Sequence, residues 1–388
     1  MLTSLKLHNF KCFEDLELSL CNLNVFTGMN GAGKSTIIRH ITGVYRPDSG
    51  EVLVGGEPVF QSLLLLAQSA DSIENTGKIR LNGSFEELGV GSDILYEKAV
   101  SDDIEISYRY DGEAFSYQMH NSAADEIQTI TGEKAERPFK DTHIIYLSAY
   151  RIAPQKLYHI TDENMLCNRE FDKSGEYVIQ YLDRFRNDDV KNQNILRGTD
   201  RDRSLGKQTE YWMDLISPGV RPEIYINDLA RTAELRFSYK KGRDLTNAYR
   251  SINVGFGITY VLPVVVSLLT AQPGDIIILE NPEAHIHPKG QRMLGEMIAA
   301  ASASGAQIMV ETHSDHVLNG IRLAVKNRVI RCDTVKLYYL FQKDDANDAE
   351  ENYTHECVSP IIDEDGMLNE WPEGFFDEWD NALMELLS

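Results

Sequence analysis

The stretch "GMNGAGKST", residues 28–36, constrains the fold of this 388-residue chain more than any other feature. It matches the phosphate-loop pattern G-x-x-x-x-G-K-[ST], follows the short apolar run "NVF" and precedes the apolar run "IIRHI". Glycines let successive backbone N–H groups curl around phosphates without Cβ clashes, and a following helix N-terminus adds partial positive charge. We therefore predict a strand, a nucleotide-binding loop and a helix, in this order.

The predicted loop contributes most of the candidate nucleotide ligands. Lys34 is expected to contact the β and γ phosphates of ATP, and Ser35 is expected to ligate Mg²⁺. The candidate ATP-binding residues of this segment are Gly28, Asn30, Gly31, Ala32, Gly33, Lys34, Ser35 and Thr36.

A second segment, "DIIILENPEAHIHP" (275–288), supplies candidate catalytic residues. Its apolar run predicts a buried strand with Glu280 at the carboxyl end, the edge at which open α/β sheets bind ligands. A carboxylate at that edge can hold Mg²⁺ through water. Asn281 comes next, and its neutral amide can orient a water molecule but cannot take a proton from it. We expect the carboxylate that acts as general base to be Glu283 or Glu311 instead.

Two shorter segments carry the remaining site candidates. "VETHSDH" puts His313 directly after another predicted strand, where an imidazole can contact a γ phosphate or orient water. "SINVGFG" puts Asn253, Gly255 and Gly257 at the start of a predicted helix. Exposed backbone N–H groups at such a helix start would form a second phosphate cradle, and a tight turn is an equally good interpretation.

Charge and hydropathy restrict the partners of the chain. The formal net charge is −22, which disfavours nucleic acid because affinity for phosphate backbones comes mainly from Lys and Arg. A nucleic-acid contact would need a local basic patch. The most apolar stretch, "GFGITYVLPVVVSLLTAQPG", contains proline and glycines and predicts a buried core helix rather than a membrane span. We expect a soluble, cytoplasmic protein with no membrane association.

Taken in order, the motifs resemble a known superfamily. The chain contains "NFKCF", "GMNGAGKST", "NVGFG", "IILENPEAHIHP" and "ETHSDH". This series is similar to the ATP-binding-cassette (ABC) superfamily, in its branch of SMC, RecF and OLD-like ATPases. It resembles in particular the bacterial AAA-type ATPases with a short uncharacterised C-terminal domain. The segment "WPEGFFDEW" (371–379) of this chain is similar to the end of that domain.

The resemblance implies a head-to-head homodimer with ATP between the phosphate loop of one copy and residues 253–257 of the other, here called the signature turn. It implies that His313 is the switch histidine and that His287 lies in a loop that crosses the dimer seam. Lys11 corresponds to a basic residue near the nucleotide base. The glutamine that senses Mg²⁺ corresponds to Gln61 or Gln68, and the spacing does not choose between them.

These observations predict an α/β fold. The resemblance makes it an ABC/SMC-type ATPase head with a mixed β-sheet lobe, a parallel-sheet lobe and a largely helical insert. The predicted divisions are an N-terminal ATPase lobe (1–150), the insert (151–250), a C-terminal ATPase lobe (251–343) and a small C-terminal domain (344–388).

The resulting functional hypothesis is an ATP-gated dimeric switch that hydrolyses ATP slowly. By resemblance, it would act on a separately encoded effector in antiviral defence or DNA maintenance. One alternative is the nucleotide-binding subunit of an ABC transporter, because "ITGVYRPDSGEVLVGGEPV" (41–59) is similar to sugar-importer ATPases. The other is an ATP-binding scaffold that does not hydrolyse.

Overall fold

The computed structural model describes residues 1–28, 57–121, 127–131, 137–140, 142–198, 202–242, 244–344, 353–372, 374–376 and 378–387. The chain divides into two compact units. Unit 1 comprises Met1–Thr142, Lys336–Ile361 and Leu368–Ser388, and unit 2 comprises His143–Val335 and Ile362–Met367. The four-part division expected from the sequence stays a prediction.

An antiparallel sheet forms the first part of unit 1, with strand order β2-β1-β5-β6-β7-β4. Its strands are β1 (Leu2–Phe10), β2 (Phe13–Ser19), β4 (Lys78–Arg80), β5 (Asp103–Tyr110), β6 (Glu113–His120) and β7 (Ile127–Thr131). Leu5 lies opposite Leu18 on β2 and opposite Tyr108 on β5, and all three side chains are buried. The alternation of apolar and polar residues thus gives half-buried strands, as a period of two predicts.

The strand that leads to the phosphate loop also belongs to unit 1. β3 (Leu23–Gly28) lies beside β16 (Val335–Asp344), which pairs in antiparallel fashion with β17 (Tyr353–Val358). The Phe26 ring stacks on Tyr338 at 4.9 Å and meets the edge of Phe60 at 5.2 Å. Phe60 belongs to the helix Glu57–Gln68 (α1), so these contacts pack that helix against β3. The helices of this unit are α1 (Glu57–Gln68), α2 (Ala70–Thr76) and α9 (Glu378–Leu387).

Unit 2 is built around three parallel strands in the order β15-β14-β8. These are β8 (Ile144–Leu147), β14 (Ile276–Glu280) and β15 (Gln307–Glu311), and every residue of β14 and β15 is buried. Continuous burial explains why these strands read as apolar runs, since parallel strands are covered on both faces. The long helices of this unit are α6 (Phe256–Leu269), α7 (Pro288–Ser302) and α8 (Asp315–Lys326).

Segment 151–250 of unit 2 combines three helices with a β-hairpin. Its helices are α3 (Glu163–Cys167), α4 (Tyr177–Arg184) and α5 (Leu205–Ile216). Its strands are β9 (Tyr158–His159), β10 (Val220–Asn227), β11 (Thr232–Lys241), β12 (Asp244–Leu245) and β13 (Tyr249–Arg250). Trp212 and Phe237 are fully buried and give the segment an apolar core. Strands β10 and β11 pair in antiparallel fashion to form this hairpin.

Short 3₁₀ helices complete the described secondary structure, at Gly91–Asp93, Gln193–Ile195, Ser251–Asn253 and Cys332–Thr334. Within the described ranges, the helices are all too short or too polar to cross a lipid bilayer. The apolar stretch at 255–274 forms α6, whose residues from Thr259 to Leu269 are buried, so the prediction of a core helix is confirmed.

Candidate functional site

Glu280 ends β14 as a buried and firmly held carboxylate. Its side chain is 7% exposed. The Tyr146 hydroxyl donates a hydrogen bond to Oε1 at 2.9 Å, and the backbone N–H of Ala149 donates to Oε2 at 2.8 Å. Both donors come from β8 and the loop after it, because the parallel pairing of β8 with β14 brings those ends together. Donors on both oxygens favour the ionised carboxylate and fix its orientation.

Asn281 has a left-handed backbone, with φ of 42°. Its N–H donates to the Glu311 carbonyl at 2.9 Å, and its own carbonyl accepts from the N–H of Ala284 at 3.1 Å. Asparagine tolerates this conformation better than glutamate, which explains in part why an amide stands here. Its Oδ1 is buried and accepts no hydrogen bond from the described residues. The amide oxygen can therefore orient a water molecule.

Glu283 and the segment after β15 meet beside this turn. The Glu283 side chain is 8% exposed, and its Oε1 accepts a hydrogen bond from the backbone N–H of His313 at 3.1 Å. Its Oε2 is buried and accepts no hydrogen bond within the described parts of the chain. Glu311 is 4% exposed, and its Oε1 lies 3.8 Å from Nε2 of His313. Glu280 and Glu311 are register partners, so all five candidate catalytic residues lie at one edge of the sheet.

Arg151 belongs to the same cluster, although sequence reasoning missed it. Its side chain is 4% exposed, and its guanidinium lies 4.5 Å from the ring centroid of Tyr260. One nitrogen, Nη1, donates to the carbonyls of Ser148 (2.8 Å) and Glu280, and Nη2 donates to the carbonyl of Asn281 at 2.6 Å. Burial lowers the pKa of Arg151 to about 10, against the opposing effect of nearby acidic groups. The signal available in the sequence was a single basic residue closely following an apolar strand.

The signature turn lies on the surface of unit 2. Asn253 and Gly255 are exposed, and Gly255 is the N-cap of α6. Gly257 is buried, and a Cβ there would lie 2.2 Å from the carbonyl oxygen of His285. The His285 ring meets Phe256 edge-on at 4.8 Å, so the start of α6 packs against the loop that contains His285. Glycine at 257 is therefore required by close backbone approach.

His287, which is expected at the dimer seam, is exposed and lies on the same loop as His285. It is the N-cap of α7, where its Nδ1 accepts a hydrogen bond from the N–H of Lys289 at 3.3 Å. The bond satisfies one of the free N–H groups at the helix start.

Candidates in unit 1 are described only in part. Gly28 ends β3, whereas seven predicted ligands lie outside the described residues: Asn30, Gly31, Ala32, Gly33, Lys34, Ser35 and Thr36. Lys11 has φ of 56°, and its backbone N–H donates to the carbonyl of Ile94 at 2.8 Å.

The two candidate glutamines differ in their contacts. Gln68 donates from Nε2 to the Arg80 carbonyl at 2.9 Å and accepts at Oε1 from the Glu86 N–H at 2.9 Å, so backbone groups use both ends of its amide. The Oε1 of Gln61 is buried and has no hydrogen-bond partner among the described residues. The two glutamines therefore differ in whether a described backbone group already uses the amide oxygen.

The D-x-D pair at Asp363 and Asp365 forms a turn. Oδ1 of Asp363 accepts hydrogen bonds from the N–H groups of Asp365 (2.9 Å) and Met367 (2.8 Å). Across the part of the chain that the structure describes, no three His, Cys, Asp or Glu side chains are grouped to hold a metal ion.

Two family models match the chain. Residues 23–319 match the family AAA_21, described as "AAA domain, putative AbiEii toxin, Type IV TA system". Residues 330–386 match DUF3696, described as a protein of unknown function.

Individual relatives are similar over very different lengths. An OLD nuclease from Thermus scotoductus is 25% identical over 373 residues, which cover 89% of this chain and 65% of that protein. A ribose import ATP-binding protein (RbsA 1) from Rubrobacter xylanophilus is 53% identical over 45 residues, or 12% of this chain and 9% of that protein. The chain therefore spans less than two thirds of either relative.

Solved structures with a similar fold are SMC heads. An Smc head from Pyrococcus furiosus, bound to the C-terminal domain of ScpA, has a TM-score of 0.51 at 12% identity and covers 100% of this chain and 99% of its own. A second Smc head, bound to the C-winged helix domain of ScpA, has a TM-score of 0.50 at 12% identity, with 92% and 97% covered. The predicted fold class is thus confirmed, and the chain belongs to the AAA_21 family, within the SMC- and OLD-like ATPases of the ABC superfamily.

Proposed function

We propose that the protein binds ATP with Mg²⁺, that ATP closes two copies head to head, and that slow hydrolysis reopens them. The observation that carries this proposal is the cluster of Glu280, Asn281, Glu283, Glu311 and His313 at one edge of a parallel sheet. Membership of an ATPase family supports ATP as the ligand.

The residues present suit a magnesium ion. Glu280 accepts a hydrogen bond at each carboxylate oxygen, and this fixed orientation suits a carboxylate that binds Mg²⁺ through water. The resemblance assigns the remaining magnesium contacts to Ser35 of the phosphate loop and to a glutamine, for which we propose Gln61 because its amide oxygen has no hydrogen-bond partner among the described residues. Bound there, Mg²⁺ would neutralise charge on the phosphates.

We assign the general base to Glu283 in preference to Glu311. Glu283 belongs to the same turn as Asn281, whose amide oxygen is buried without a partner among the described residues, whereas Glu311 ends the neighbouring strand and its Oε1 lies 3.8 Å from Nε2 of His313. Asn281 would orient the attacking water, and Glu283 would take its proton. The other oxygen of Glu283 already accepts from the N–H of His313, which links the base to the residue proposed to contact the γ phosphate.

The output of the switch is proposed to be a separately encoded effector protein, in antiviral defence or DNA maintenance. Support comes from the toxin–antitoxin description of the family and from the OLD nuclease relative. The net charge of −22 argues against a direct role for nucleic acid.

Single-turnover release of phosphate tests the chemistry. We expect Glu283→Gln to slow the reaction by about 10² to 10⁴, the usual cost of losing a general base, and Glu311→Gln to slow it much less. Lys34→Ala is the control that abolishes productive ATP binding. If neither glutamine variant slows release, the base assignment is wrong. If the wild-type protein releases no more phosphate than Lys34→Ala, the protein is a scaffold and the proposal fails.

A further inference from the structure

We infer that Arg151 is a positioning residue that couples the signature turn to the turn after β14, so that closure of the dimer sets the rate of hydrolysis. The inference rests on the proposed function. It assigns a role to a side chain whose hydrogen bonds within the described residues go to backbone carbonyls.

The hydrogen bonds of the Arg151 guanidinium within the described residues go to the backbone rather than to a carboxylate. Within the described residues, its guanidinium donates to three backbone carbonyls, those of Ser148, Glu280 and Asn281. Burying a cation costs free energy unless it is well compensated, and an apolar side chain would fill the space at lower cost. A planar guanidinium offers something that an apolar residue lacks, namely two nitrogens that hold consecutive carbonyls in a fixed relation.

The hydrogen bonds to the Glu280 and Asn281 carbonyls hold the turn after β14 in place. The Asn281 carbonyl is held by Arg151 and by the N–H of Ala284, while its N–H is held by the Glu311 carbonyl. These bonds maintain the left-handed backbone of Asn281, which directs the chain toward Glu283. Loosening one of them would move the water-orienting amide and the proposed base together.

Tyr260 links the same arginine to α6. It lies one turn after Gly257, and its ring packs under the guanidinium at 4.5 Å. Its hydroxyl donates to the Ala149 carbonyl and accepts from the backbone N–H of Arg151 at 3.2 Å. Ala149 in turn donates to Oε2 of Glu280 at 2.8 Å. A shift of α6 when the signature turn meets a nucleotide on a second copy would therefore reach Glu280 and Asn281 through these contacts.

The test compares Arg151→Lys with a matched control. Arg197 also lies 4.5 Å from an aromatic ring, that of Trp212, and also donates to backbone carbonyls, those of Asn194 and Leu196. Its hydrogen bonds and its ring contact are with residues between Asn194 and Trp212, so Arg197→Lys repeats the chemical change away from the turn after β14. For each variant we would measure ATP affinity, dimer formation with a non-hydrolysable analogue, and the single-turnover rate at saturating ATP.

We expect Arg151→Lys to bind ATP and dimerise like the wild type but to hydrolyse about 10 to 100 times more slowly, because misplacement by about an ångström has effects of this size. Tyr260→Phe keeps the guanidinium but removes both hydrogen bonds of the hydroxyl, and it should slow hydrolysis by about 2- to 10-fold, since a net hydrogen bond is worth about 1 kcal/mol. Arg197→Lys should leave all three quantities unchanged.

Several results would overturn the inference. Wild-type hydrolysis in Arg151→Lys would refute coupling through Arg151 while leaving the proposed function intact. Equal loss of rate in Arg197→Lys, or loss of ATP affinity in proportion to rate, would show a general structural effect instead. If the wild-type protein hydrolyses ATP no faster than Lys34→Ala, both proposals fail.

Discussion

The turn after β14 (residues 280–283) and the signature turn (residues 253–257) belong to the same unit but are built in opposite ways. In the first, Glu280 and Glu283 are 7% and 8% exposed, and the backbone is held on both sides of Asn281. Around the second, Ile252 and Phe256 are 40% and 43% exposed. One turn is preorganised within a single copy, and the other presents apolar surface to solvent.

This difference suits two tasks. Groups that orient water must already be in place, because catalysis gains most from fixed dipoles and charges. A surface that recognises a second copy must be accessible before the copy arrives. The contacts of Gly257 with His285 and of Tyr260 with Arg151 join the two regions.

The largest effect on stability is expected at the buried beginning of β14, away from both turns. Asp275 forms a two-pronged ion pair with Arg169 and is 6% exposed at its side chain. Breaking such a pair leaves an unpaired buried charge and typically costs about 3 to 5 kcal/mol. Asp275→Asn should lower the free energy of unfolding by that amount near neutral pH, measured by denaturant titration.

The same pair predicts a dependence on pH. Burial opposes ionisation of Asp275, but His143, Arg169 and the N–H of Gln272 outweigh it and hold its pKa below the usual value. The stabilisation is therefore complete above the unfolded pKa of about 3.9 and is lost as the pH falls through the lower folded pKa. The gap between wild type and Asp275→Asn should shrink on acidification. A gap that widens would contradict the assignment.

A smaller effect is expected at the junction of the two turns. Gly257→Ala forces a Cβ against the His285 carbonyl and should cost about 1 to 3 kcal/mol, as overpacking usually does. Gly255→Ala is the matched control, since its Cβ would meet only Ile258 Cδ1, at 3.9 Å. Thermal unfolding of both variants measures the difference. Equal melting temperatures would show that α6 is not packed against this loop.

The smallest effect on stability, but a clear one on association, is expected at the exposed turn. Ile252→Asp should unfold like the wild type, within about 0.5 kcal/mol. It should weaken the nucleotide-dependent dimer at least about tenfold in Kd, because closure would bury an unpaired charge. Leu229→Asp changes a fully exposed leucine in the β10–β11 connection and should leave the dimer intact. Similar weakening by both variants would contradict this interface.

Local patterns in the sequence were sufficient for much of the fold. Alternation identified β1 and β2, the apolar runs identified β14, β15 and α6, and strand ends placed Glu280 and His313 at one edge. Arg151 could not be found in this way, because two of its acceptors, the carbonyls of Glu280 and Asn281, lie 129 and 130 residues further along the chain. The same limit applies to Gln68, whose partners become visible only when α1 packs beside residues 80–86. The left-handed Asn281 is likewise set by tertiary contacts.

The central claim is that two copies share ATP between the phosphate loop of one and the signature turn of the other. Sedimentation velocity with Mg²⁺ and a saturating non-hydrolysable ATP analogue tests it most directly, with Lys34→Ala as the control. The account predicts a species of twice the 43.9 kDa chain mass that requires both nucleotide and Lys34. A wild-type protein that stays at the mass of one chain under these conditions would contradict it.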